Sequence, residues 1–120
     1  MKNIEPKVYR QRLIIEGHFE VPIEGENIKA YLTKLSKVLK MTIFSGPFCW
    51  PPDKWTNPRV KLHNLNAFVA WTKSGCHVYA WRLPKFFTAD IYSCKPFNTK
   101  KVLKFTKDFF KSKDMVYKEI

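Results

Sequence analysis

Long apolar runs are missing from this chain of 120 residues. Nothing in it approaches the roughly 20 consecutive apolar residues that cross a bilayer, so no membrane span is expected. Met1 to Lys7 is charged with no apolar stretch behind it, which predicts no signal peptide and a cytoplasmic location. Cysteine is scarce. Cys49, Cys76 and Cys94 form an odd set without a CxxC pair, which fits neither a disulfide framework nor a zinc site. His18, His63 and His77 are dispersed without HxxxH or HExxH spacing, and no metal site is expected. Acidic residues are also few, 10 against 22 lysines and arginines, leaving a net charge of +12. That excess is spread out, with eight lysines against Asp108, Asp114 and Glu119 in residues 95 to 120 and no run of five like charges. It reads as a solvated lysine-rich surface at least as readily as a phosphate-binding face.

What is present is apolar and aromatic. At 45% hydrophobic and 16% aromatic content the chain supports one core and is too short for two, so a single domain over residues 1 to 120 is expected. Tyr9 to Phe19 reads as a first strand centred on β-branched Ile14 and Ile15. From Asn27 to Lys40, Ile28, Tyr31, Leu32, Leu35, Val38 and Leu39 recur at helical spacing. Met41 to Phe44 suits a short second strand ended by a turn at Gly46-Pro47. Pro47, Pro51, Pro52 and Pro58 then stand among Phe48, Trp50 and Trp55, a pattern that predicts a long irregular loop.

Leu65 to Thr72, Cys76 to Trp81 and Phe86 to Cys94 follow as strand-like runs separated by Ser74-Gly75 and Leu83-Pro84, an antiparallel meander. In the last of them the two-residue period puts Thr88, Asp90, Tyr92 and Cys94 on one face and Ala89, Ile91 and Ser93 on the other. Asn98 or Thr99 caps a second helix with an inner stripe of Val102, Leu103, Thr106, Phe109 and Phe110, and Phe105 is also expected in the core. Val116 to Ile120 returns as a strand. The expected fold is α/β of the α+β kind, a two-layer sandwich in the order β-α-β-β-β-α-β with both helices on one face of a mainly antiparallel sheet. The uncovered, aromatic-rich face predicts a face-to-face partner, most simply a second copy of the chain.

The run Ser74-Gly-Cys-His-Val-Tyr-Ala-Trp-Arg-Leu-Pro-Lys-Phe-Phe-Thr-Ala-Asp-Ile-Tyr-Ser-Cys94 resembles the central motif of the bacterial and archaeal S-adenosylmethionine decarboxylases, roughly ESHxSIHTxPExxxxxxDxxTC. The serine, aspartate and cysteine of that motif fall on Ser74, Asp90 and Cys94 without a gap, and Trp81 meets an aromatic position. The resemblance implies that the chain cuts itself between Lys73 and Ser74, and that Ser74 becomes a pyruvoyl group. That group is an electron sink for decarboxylation, as pyridoxal phosphate is. Cys94 would return a proton to the α-carbon, chemistry open to a thiol whose pKa is tuned. The pattern departs from the family at four places. Lys73 replaces a glutamate, Gly75 a histidine, Tyr79 the histidine that assists processing and catalysis, and Asn66 an upstream serine that aids self-cleavage. His77 is two residues from Tyr79, on the same strand face but roughly 6 to 7 Å along it.

Each of these residues also has a plain structural reading. Ser74-Gly75 suits a tight turn, Cys94 a buried thiol, Asp90 a loop hydrogen bond, and His77 and Tyr79 cross-strand packing. Trp50 and Trp55 either stack on an adenine ring and attract a sulfonium, or pin the loop to the body. The leading expectation is a pyruvoyl-dependent decarboxylase of S-adenosylmethionine, or of a related amino acid, serving polyamine (spermidine) synthesis. One alternative is an unprocessed homologue without a cofactor that binds S-adenosylmethionine or regulates a paralogue. Another is a basic nucleic-acid-binding module, which no RNP-type, KH or helix-turn-helix signature supports. With the family's glutamate and histidine replaced and a phenol a poor base near neutral pH, little or slow cleavage is expected, with His77 the only imidazole near enough in sequence to substitute.

Overall fold

Alternation of buried and exposed side chains organises the strands in this computed structural model, which describes residues 1–50 and 64–120. Strand β1 is Gln11–His18, helix α1 Gly25–Val38, β2 Ile43–Trp50, β3 Asn64–Trp71, β4 Ser74–Trp81, β5 Phe86–Ser93, helix α2 Thr99–Phe110 and β6 Val116–Glu119. The strands form one antiparallel sheet in the order β2-β3-β4-β5-β1-β6. Leu13 and Ile15, Leu65 to Trp71 at every second position, Cys76, Val78 and Ala80, and Phe87, Ala89 and Ile91 are buried in register. This is the period of two that a half-covered sheet requires.

The cover comes from the two helices, whose apolar stripes join the same core: Ile28, Tyr31, Leu32 and Leu35 from α1, Val102 and Phe110 from α2. Tyr31 is ringed by Phe105, Phe109 and Phe110, and Phe110 stacks on Phe87 with ring centres 4.0 Å apart. Helix α1 begins at Glu24, whose N–H donates to the Asn27 side chain at 2.9 Å; α2 is capped by Asn98, which accepts from the Lys101 N–H at 3.1 Å. Each cap satisfies a donor that the first helical turn leaves free.

The expected class and layering hold, with four corrections. The four strand segments read between the helices are all present, so the order is β-α-β-β-β-β-α-β and the expected one with three is a strand short. Strand β2 does not end at Gly46-Pro47 but runs on to Trp50, with breaks in its register on both sides of Ser45. It is an edge strand, where a proline's missing N–H costs no ladder bond on the open side. The first turn of the meander is Thr72-Lys73, since Trp71 pairs with Ser74, so Ser74-Gly75 already belongs to β4. Phe105 and Phe109 pack against the core while remaining partly exposed; of the three α2 phenylalanines only Phe110 is fully buried. The proline-rich stretch with Pro51, Pro52, Trp55 and Pro58 lies outside the described residues.

The sheet face away from the helices is open and aromatic. Phe44, Phe48, Trp50 and Phe68 are 78%, 59%, 61% and 40% exposed, far more apolar surface than a free sheet face ordinarily shows to water.

Candidate functional site

Ser74 opens β4 directly after the two-residue turn, and Lys73 in that turn has a φ of 59°, the left-handed region in which a side chain other than glycine is strained. Cys94 follows the last residue of β5, neighbour to β4 in the sheet. The chain bends there because the buried Ser93 hydroxyl donates to the Lys95 carbonyl at 2.6 Å and accepts the Lys95 N–H at 3.1 Å. The two ends meet. Cys94 N–H donates to Ser74 Oγ at 3.0 Å, and the Ser74 hydroxyl donates to Cys94 Sγ at 3.5 Å. Their nearly mirrored positions about the Leu83-Pro84 turn predict this close approach, and it is present. Cys94 Sγ also lies 3.8 Å from the Thr72 carbonyl, so the sulfur is held over the turn that contains Lys73.

By strand parity Ser74 stands in the helix-facing row with Cys76, Val78 and Ala80, while Gly75, His77, Tyr79 and Trp81 face outward. On the outer face, cross-strand register sets Phe68 and Asp90 on either side of His77, and Asn66 and Thr88 on either side of Tyr79. His77 bridges the two rows: Nε2 is hydrogen-bonded to Asn66 Oδ1, and Nδ1 lies 3.5 Å from the Tyr79 hydroxyl. Because an amide oxygen only accepts, Nε2 carries the proton and Nδ1 takes the tyrosine's. The imidazole stacks on Tyr79, ring centres 4.3 Å apart. Burial lowers the His77 pKa below its ordinary value, and the Asp90 carboxylate partly offsets this.

Three hollows meet here. One of about 390 Å³ is lined by Phe68, Lys73, Ser74, His77, Asp90 and Tyr92. Another, about 570 Å³, shares Phe68 and His77 with it and extends to Phe48 and Trp50. A third, about 200 Å³, reaches Ser74 and Cys94 from the side of Met41, Trp71 and Lys95. The structure thus gathers Lys73, Ser74, His77, Tyr79, Asp90 and Cys94, with Trp50 one hollow away. Trp81 does not join them. It sits at the far end of β4, roughly 23 Å from Ser74 at the strand rise, against Tyr79 and Phe86.

Phe68, which sequence reasoning passed over, and Gly75, which it read as a turn glycine, both matter. Phe68 walls two hollows, and its signal was a large aromatic in the outward row of Asn66. Gly75 has no room for a side chain: a Cβ there would lie 2.8 Å from the Val69 carbonyl oxygen and 3.3 Å from the Phe68 ring. The outer wall beside Ser74 is thus built by Phe68 and not by the residue after the serine. Cys76 is a different thiol from Cys94, fully buried and with its pKa pushed up by burial, which keeps it a neutral core residue. Among the described residues no group of three or more His, Cys, Asp or Glu could hold a metal ion, and no helix is long and apolar enough to cross a membrane.

A family model described as S-adenosylmethionine decarboxylase matches residues 23–120. No curated protein matches the chain. Among solved structures, the fold is similar to the crystal structure of the adenosylmethionine decarboxylase from Aquifex aeolicus, with a TM-score of 0.69 and 12% sequence identity over 94% of this chain and 89% of that one. At that identity the likeness speaks for the fold alone.

Proposed function

The chain belongs to the S-adenosylmethionine decarboxylase family, and on that premise we propose that it decarboxylates S-adenosylmethionine with a pyruvoyl group made from Ser74, supplying aminopropyl groups for polyamine (spermidine) synthesis. The observation that carries this reading is the Ser74 to Cys94 contact of 3.5 Å at the head of β4, beside a cleft on the open sheet face. The residues fit such a group: a serine at a strand start, a strained residue before it and a thiol against it. When present, the pyruvoyl carbonyl supplies the electron sink for loss of carbon dioxide.

The chain's own side chains do the rest. Cys94, half-buried beside the reacting carbon, holds the proton that the α-carbon needs. Asp90, exposed in the cleft wall, attracts the substrate's positive charge, and Phe68 and Trp50 offer faces for a sulfonium or an adenine ring. His77, held between Asn66 and Tyr79, keeps the Tyr79 hydroxyl in place. The open aromatic face is the surface through which two copies pair as a symmetric homodimer, closing water out of the cleft.

A second reading keeps the fold and cleft without the cut. It is favoured by Asn66 and Tyr79, which stand where the family has its serine and histidine and which occupy both nitrogens of His77. The chain would then bind S-adenosylmethionine or regulate an active paralogue. Intact-mass measurement of the purified protein separates the two. Slow appearance of a fragment ending at Lys73 and one beginning at a carbonyl-bearing residue 74, with carbon dioxide released from carboxyl-labelled S-adenosylmethionine, supports the first. A chain that stays whole, with activity absent or unaffected by Ser74→Ala, leaves only the second.

A further inference from the structure

We propose that Cys94 is the group that activates Ser74 for cleavage, its backbone N–H fixing the hydroxyl oxygen and its ionised thiol removing the hydroxyl proton; this rests on the pyruvoyl reading above. Four side chains near Ser74 can take a proton: His77, Tyr79, Asp90 and Cys94. His77 and Tyr79 stand in the outward row of β4 and Asp90 in the outward row of β5, whereas Ser74 stands in the helix-facing row. His77 has no free lone pair for Ser74, because Nδ1 meets the Tyr79 hydroxyl and Nε2 bears the proton directed at Asn66. Among the described residues only Cys94 is hydrogen-bonded to the Ser74 hydroxyl, and it is so twice.

The hydrogen bonds of Ser74 Oγ leave it a lone pair for attack. A hydroxyl has one donor and two lone pairs. The donor points to Cys94 Sγ, one lone pair accepts the Cys94 N–H at 3.0 Å, and the other remains for the carbonyl carbon of the preceding residue. The same N–H stabilises the negative charge that grows on the oxygen as its proton leaves. Lys73, whose carbonyl is attacked, is held in the left-handed region, and the cut releases that strain.

The bonds and protons balance. Once the half-exposed thiol has ionised to water, the thiolate takes the Ser74 proton. Oγ then bonds to the Lys73 carbonyl carbon, and that C=O electron pair moves onto its oxygen. Collapse of the oxyanion breaks the bond between the Lys73 carbonyl carbon and the Ser74 nitrogen, and the thiol returns the proton to that nitrogen. The amide has become an ester with no change in oxidation state. The regenerated thiolate takes the Ser74 Hα, that electron pair forms the Cα–Cβ double bond, and the Cβ–Oγ bond breaks to release the Lys73 carboxylate and leave a dehydroalanine. Water then replaces its nitrogen, released as ammonia, to give the keto group.

The test follows cleavage of the full-length chain by mass spectrometry over days, with and without hydroxylamine, which splits the ester. Cys94→Ala is expected to slow cleavage about a hundredfold or more, the range of a lost general base, and His77→Gln to change it less than about twofold. To guard against misfolding of the variant, Cys94 is also blocked reversibly with a methanethiosulfonate in a Cys49→Ser background, Cys76 being buried. Blocking should stop cleavage, and a phosphine reductant should restore it. Cleavage of Cys94→Ala or of the blocked protein at the unmodified rate overturns the assignment while leaving the pyruvoyl reading intact. Failure of the unmodified chain to cleave even with hydroxylamine overturns both.

Discussion

Asp114 closes on His18 with both carboxylate oxygens: Oδ1 accepts the His18 backbone N–H at 2.9 Å and Oδ2 meets the imidazole Nδ1 at 2.5 Å. The contact ties the end of β1 to the segment that leads from α2 into β6, and the Ser112 hydroxyl adds a third bond at 3.3 Å. The His18 backbone bond is the main reason the Asp114 carboxyl is pulled from 3.8 to about 2, with the imidazole bond next. A depressed folded-state pKa means stability that is present above about pH 4 and lost as pH falls toward 2. The thermal midpoint should drop over that window, and Asp114→Asn should show a shallower acid decline than the unmodified chain. Parallel curves for the two proteins would refute the linkage.

His77 gives the opposite end of the pH scale a probe. Facing it are Asn66 and Phe68 from β3, Tyr79 on its own strand and Asp90 from β5, the only one of them charged at neutral pH. Its pKa is lowered below 6.5 by burial and held up by Asp90. Stability is therefore lost as pH falls below about 6.5, where the unfolded chain binds the proton first. An NMR titration should place the His77 midpoint under the ordinary value and move it lower still in Asp90→Asn. A higher midpoint in that variant would show that the carboxylate does not act on the ring.

Gly75→Ala should cost about 1 to 3 kcal/mol, the usual penalty of overpacking, because its Cβ would meet the Val69 carbonyl oxygen at 2.8 Å. Urea denaturation reads this directly. Restoring the family's histidine at this position should be at least as damaging, since the Phe68 ring already takes the space.

Tyr31 is buried, with its phenol pKa pushed up by burial, and its hydroxyl bonds Thr106 Oγ1 at 2.8 Å across the two helices. Thr106→Val leaves that hydroxyl without a partner and should cost about 1 to 3 kcal/mol, while Thr106→Ser keeps the bond and costs less. Equal losses in the two variants would mean that packing, not the hydrogen bond, is what Thr106 supplies.

Sedimentation at micromolar concentration should find a symmetric dimer, and Phe48→Glu, on the open face where Phe48 is 59% exposed, should dissociate it. A monomeric unmodified chain would remove the proposed role of that face.

Local pattern carried much of this molecule. Alternation in residues 86–93 separated Ala89, Ile91 and Ser93, which the sheet buries, from Thr88, Asp90 and Tyr92, and the helical stripe of Ile28, Tyr31, Leu32 and Leu35 is the one that packs. The reason is that periods of 2 and 3.6 follow from backbone geometry alone. The separation of Ser74 from Cys94 likewise implied their meeting, because a hairpin brings residues at mirrored distances from its turn together.

Phase across strands was a different matter, since it depends on long-range pairing that no short segment encodes. Only the folded sheet set the turn at Thr72-Lys73, and with it the row in which Ser74 stands apart from His77 and Tyr79. It also carried β2 through Pro47 as an edge strand, where a missing N–H is tolerated. And it placed Asn66 against His77, so that residues eleven apart in the chain share one hydrogen bond. Sequence thus determined the layers, the core and which residues could form the cleft, apart from Trp81, which lies away from it, and Phe68; register, which is a property of the whole sheet, decided which of them touch the serine.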